Sequence, residues 1–171
     1  MKYNNFINES RLILTLSIAL TIVGFFNNAN AIFHGQDNNN KETLDASKQF
    51  IMNLFDNVNN ASNEYKAELE TEVELINNEN NITIVNKTSE YIDNLEMITS
   101  VAKEYNIHED YKPVLNNYIN SLQNEIESYT HYKNYILTSN NTENKLSLDL
   151  LSNALNYETE AIEEFKKLQE Q

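Results

Sequence analysis

Residues 113–138 read PVLNNYINSLQNEIESYTHYKNYILT. Leu115, Ile119, Leu122, Ile126, Tyr129 and Ile136 recur in steps of three, four and seven, and Tyr118 and Tyr132 widen the stripe. That period places the apolar side chains on one face of an α-helix. Pro113 marks its start, because proline lacks the N–H donor that a helix interior requires and is tolerated in the first turn. The helix is expected to end around Thr138.

Working outward, the same spacing predicts three more helices. One runs from about Lys41 to Asn77 on the line Ser47, Ile51, Leu54, Val58, Ala61, Tyr65, Leu69, Val73 and Ile76. Asn57, Asn59, Asn60 and Asn63 weaken its middle, since asparagine is a poor interior helix residue. A second runs from about Ile82 to Asn106, on Val85, Thr88, Ile92, Leu95, Ile98, Ala102 and Tyr105. The last follows Asn141-Thr142, both suitable caps, on Leu148, Leu151, Leu155, Ile162 and Phe165, widened by Ala154, Ala161 and Leu168. Short links between long helices force antiparallel neighbours. The expected fold is therefore all-α, an up-down-up-down four-helix bundle over 41–171. A three-helix core with one detached helix is the structural alternative.

Composition supports this reading. The 171 residues include two glycines and one proline, with no glycine after Gly35. Hairpins and tight turns draw on those residues, so strands are disfavoured. A hydrophobic content of 40%, placed periodically, argues against a disordered tail. Asparagine is abundant, about thirty residues, and serves caps and turns.

Charge and missing residue types exclude several functions. The net charge is −14 and the isoelectric point about 4.5, so nothing neutralises phosphates in bulk and nucleic acid is excluded as a partner. Anionic membrane surfaces would repel the chain for the same reason. Arg11 is the single arginine, which removes bidentate anion forks from the rest of the chain. Cysteine is absent, and with it disulfides, thiolate metal sites and thiol nucleophiles.

The amino-terminal segment reads as an export signal. Lys2 and Arg11 precede the uncharged run LILTLSIALTIVGFF, Leu12–Phe26, and Ala29-Asn30-Ala31 offers the small residues a signal peptidase selects. Cleavage is expected after Ala31, giving a signal peptide over 1–31, a flexible lead over 32–40 and a secreted or periplasmic bundle without membrane insertion. The alternative is an anchor formed by an uncleaved Leu12–Phe26.

Candidate chemistry is sparse. Cleavage would leave Ile32-Phe33-His34 at the amino terminus, where a free amine, two amides and a histidine in third place make the four-nitrogen square that Cu(II) and Ni(II) prefer. No other cofactor is expected. Glu104 with His108 and Glu127 with His131 stand four apart, against the Glu-x-x-His spacing of di-iron bundles, and both histidines read as solvated. Glu70, Glu90 and Asp149 are at a similar height to His131. Glu64, Glu68, Glu70, Glu72 and Glu74 read as a solvated face, lacking the glycine turn of a calcium loop. Tyrosines crowd the third helix, and Tyr132 with Tyr135 are the candidate protein-contact residues if exposed; a core edge is the competing reading. Asn60, Asn81, Asn86 and Asn140 open Asn-x-Ser/Thr triplets. No nucleophile elbow, phosphate loop or acid–base pair is present, so no enzymatic activity is expected. The function expected is a binding or structural interaction module whose partner is protein; the alternatives are Cu/Ni capture at Ile32-Phe33-His34 and a ligand site inside the bundle.

Overall fold

The third helix begins where Pro113 requires. A computed structural model describes the backbone of residues 39–73 and 80–170, and side chains over 43–69 and 81–170. Its helices are α1 (Asn39–Val73), α2 (Asn80–Glu104), α3 (Lys112–Thr138) and α4 (Asn141–Gln169), with a short 3-10 turn at Glu109–Tyr111. The described residues contain no strand. Pro113 lies in the first turn of α3.

The links are built from polar caps. His108 precedes the 3-10 turn, and its ring Nδ1 accepts from the Asp110 N–H at 3.3 Å. Its own backbone N–H donates to Ser47 Oγ of α1 at 2.8 Å, tying this link to the start of the bundle. Between α3 and α4, Ser139 adopts a left-handed conformation at φ 55° and its N–H closes on the Tyr135 carbonyl at 2.8 Å. The cap of α4 is Asn140, one residue before the expected pair: its side chain accepts from the Thr142 N–H at 3.0 Å. Residues 32–38 of the expected lead lie outside the described residues, and α1 starts at Asn39. Its asparagine-rich middle is α-helical throughout, braced by side-chain bonds one turn apart, Gln49 to Asn53 and Asn63 to Asn59.

Each helix packs on the next in sequence, and the described residues form one helical bundle. Ile51, Leu54, Val58, Tyr65 and Leu69 of α1 are buried as the spacing predicts, and Phe55 joins them. On α2 the buried set is Ile84, Thr88, Tyr91, Ile92, Leu95, Thr99 and Ala102. Val85 and Ile98 are half-buried, and Tyr105 is exposed beyond the helix end. Thr88 and Thr99 enter the core because each hydroxyl bonds the carbonyl four residues back, Ile84 and Leu95, at 2.7 Å.

The α3–α4 contact is made of small residues. Ser121 and Ser128 on α3 and Ser147, Ala154 and Ala161 on α4 are all buried, each series spaced by seven. Ser121 Oγ donates to the Ala154 carbonyl at 2.8 Å, and Ser128 Oγ to the Ser147 carbonyl at 2.7 Å. Short side chains bring the two backbones close enough for these bonds. Leu148, expected in the core, is exposed instead because Ser147 occupies the inward position. Among the described residues, no helix is long and apolar enough to cross a membrane.

Candidate functional site

The stripe on α3 carries one charged residue among its apolar ones. Ser121, Leu122, Glu125, Ser128 and Tyr129 follow at helical spacing and all are buried, so helix geometry delivers a carboxyl into the core. Glu125 is 7% exposed. Its Oε1 accepts from the Tyr91 hydroxyl of α2 at 2.8 Å. Burial pushes the Glu125 carboxyl up to about 7, the Tyr91 bond opposes the rise and the nearby Glu158 carboxylate adds to it. Glu158 of α4 is half-buried as a residue, with a carboxyl crowded by protein and pushed up to about 7 by desolvation.

Tyrosines surround this carboxyl. The Tyr65 and Tyr91 rings stack with centroids 4.5 Å apart, and Tyr129 meets both edge-on at 5.4 and 5.0 Å. Tyr65 shares a 2.9 Å bond with Thr88, whose single proton is directed to Ile84, so Tyr65 is the donor. Tyr118 is 1% exposed, and its hydroxyl has no hydrogen-bond partner among the described residues. Burial raises this phenol well above its ordinary value, and Glu158, Glu125 and Asp56 raise it further. The site is therefore rich in phenols, without a lysine or histidine acting on its carboxyls, and shielded from water.

Two smaller constellations lie outside it. His131 Nδ1 is 2.7 Å from Glu143 Oε2 on α4, and Asn134 Nδ2 bonds the same oxygen at 3.3 Å. The hydrogen bond from His131 holds the Glu143 carboxyl below its usual range. The partner of His131 is thus Glu143 and none of Glu127, Glu90 or Asp149, while the Glu70 side chain lies outside the described residues; His131 is a half-buried clasp between α3 and α4 rather than a freely solvated ring. His108, also half-buried, serves as the cap already described. Among the described residues, no three metal-ligating side chains converge.

The second constellation is apolar and lies on α2. Met97 is 62% exposed and Val101 58%, one helical turn apart, and Ile82 nearer the helix start is 66% exposed. Tyr105, just past the helix end, stacks flat on Phe50 of α1 at 3.7 Å. These residues extend from a helix whose opposite face is already buried.

The sequence-level candidates fare differently. Tyr132 is buried and Tyr135 half-buried, so they form no exposed pair; Tyr132 fills the core edge. Glu64 and Glu68 are exposed, and Glu68 pairs with Lys87 at 3.4 Å. Ala29, Ala31, Ile32, Phe33 and His34 lie outside the described residues, as does Leu12–Phe26. Glu125, Tyr91 and Glu158 were missed by counting apolar positions alone. The readable signal was a glutamate at a core position of α3. The chain matches no family model, no curated protein and no solved structure.

Proposed function

We propose that the protein is an exported up-down-up-down bundle that works by binding another protein, with the outward apolar strip of α2 as its contact surface. The observation that carries this reading is the exposure of Met97 and Val101 side by side on one turn of α2. Large apolar side chains grouped in water favour burial against a partner. The alternating topology is supported by the partners of α3, which descend α4 as α3 ascends: Asn117 with Glu164, Ser121 with Ala154, Ser128 with Ser147 and His131 with Glu143. Ser47 with the link after α2, and Tyr65 with Thr88, support the same opposition for α1 and α2. Export is supported by Leu12–Phe26 followed by Ala29 and Ala31.

The test is capture from the exported proteins of the source with wild-type chain and with Met97→Lys/Val101→Lys as baits. A partner retained by the wild type and reduced at least tenfold by the double variant, with unchanged circular dichroism, is the expected result. Equal capture by both baits, or none by either, overturns the reading. Amino-terminal sequencing of the exported chain tests cleavage, with Ile32 expected first. A second reading, Cu(II) or Ni(II) capture at Ile32-Phe33-His34, is favoured by the histidine standing third after that bond. A square-planar absorption band lost in His34→Ala would support it.

A further inference from the structure

The core of this bundle holds a carboxyl on which, among the described residues, no lysine or histidine acts. Among the described residues Glu125 has one hydrogen-bond donor, the Tyr91 hydroxyl of α2. The groups acting on it or on its donor are acids, phenols and the Ser62 hydroxyl of α1. From α1 come Tyr65, stacked on Tyr91, and Asp56, which acts on Tyr118. Tyr118, Tyr129 and Tyr132 belong to its own helix, and Glu158 faces it from α4. No lysine or histidine is among the groups acting on either Glu125 or Glu158. The unpartnered Tyr118 hydroxyl lies within electrostatic reach of both carboxyls.

A buried carboxylate requires a counter-ion or several donors. This one has a single phenol and a second acid near it. The neutral acid is the form that fits such surroundings, since it removes both the desolvation cost and the repulsion. We propose that Glu125, together with Glu158, is a proton-binding site that fastens the bundle while protonated and loosens it as the two carboxyls ionise.

The sign follows from the elevation of both groups to about 7 against an ordinary value of 4.5. The folded chain holds these protons over a range in which the unfolded chain has released them. Their stabilisation is complete below about 4.5, declines between about 4.5 and about 7, and is gone above. Over that window the unfolding constant rises about tenfold per pH unit for each carboxyl.

The experiment pairs two measurements on the purified chain. The first is a carbon-13 NMR titration of the glutamate side-chain carboxyls in the wild type, with peaks assigned through the backbone. Midpoints near 7 for Glu125 and Glu158 are expected; a midpoint near the ordinary 4.5 for Glu125 overturns the proposal. The second is urea unfolding from pH 4.5 to 8 of the wild type and of Glu125→Gln/Glu158→Gln, whose amides are neutral at every pH. The double variant is expected to lose the part of the pH slope assigned to these groups, about a hundredfold per unit for the pair. An unchanged slope overturns the proposal. If the double variant does not fold, the wild-type titration decides alone.

Discussion

Ser139 is where a chain without glycine after Gly35 meets a turn that favours one. Its φ of 55° lies in the left-handed region, where a Cβ costs roughly 1–2 kcal/mol. Glycine would remove that cost while adding some freedom to the unfolded chain. Ser139→Gly is therefore expected to stabilise the bundle by about 0.5–1 kcal/mol, read as a raised urea midpoint with an unchanged slope. Tyr91 tests the opposite sign. Its hydroxyl is the donor to Glu125, so Tyr91→Phe keeps the stacked ring and withdraws that bond. The expected loss is about 1–3 kcal/mol in urea unfolding near neutral pH, since a buried carboxyl is left without a donor. A loss below a few tenths would mean that the bond is not formed. Neither site was legible by counting apolar residues: a left-handed serine leaves no periodic trace, and a glutamate at a core spacing reads as surface until its neighbours are placed.

At the scale of elements, spacing read four helices and located Pro113 in the first turn of α3, because period and turn chemistry are local properties. On α2 it placed Thr88, Ile92, Leu95 and Ala102 on the face that is buried, and chose Val85 and Ile98 where Ile84 and Thr99 are buried. Thr99 counts as polar beside Ile98, yet its hydroxyl bonds the Leu95 carbonyl of its own helix and the residue is buried. In the α3–α4 seam Ala154 and Ala161 were read as core, but the serines were missed for a related reason. Ser121, Ser128 and Ser147 appear hydrophilic, but two of these hydroxyls donate across the seam to backbone carbonyls, which only a close approach permits. Size therefore matters there more than polarity. Ala154→Leu is expected to cost about 1–3 kcal/mol by forcing the helices apart. Leu148→Ala, on the exposed side, is expected to stay within about 0.5 kcal/mol. Equal effects of the two in thermal or urea unfolding would show that the seam is not tightly packed.

At the scale of the molecule, the bundle concentrates phenols at its centre, with Glu125 among them. Tyr65, Tyr91, Tyr118 and Tyr129 are buried on three helices, and all four phenols are raised, chiefly by desolvation. A raised phenol keeps its stabilising contribution below the unfolded value of about 10 and loses it as pH climbs toward the folded value. These rings then cannot ionise one at a time in an intact core, because each new charge would sit among other phenols and Glu125. Their deprotonation must accompany opening of the helices. The phenolate absorbance of the buried set is thus expected to appear in one step above about pH 10, at the same pH as the loss of helical circular dichroism. With a net charge of −14 already opposing compaction, added salt should move that shared step to higher pH by screening the repulsion. Phenolate absorbance from all four rings while the helix signal stayed intact would place these tyrosines in water and dissolve the core described here.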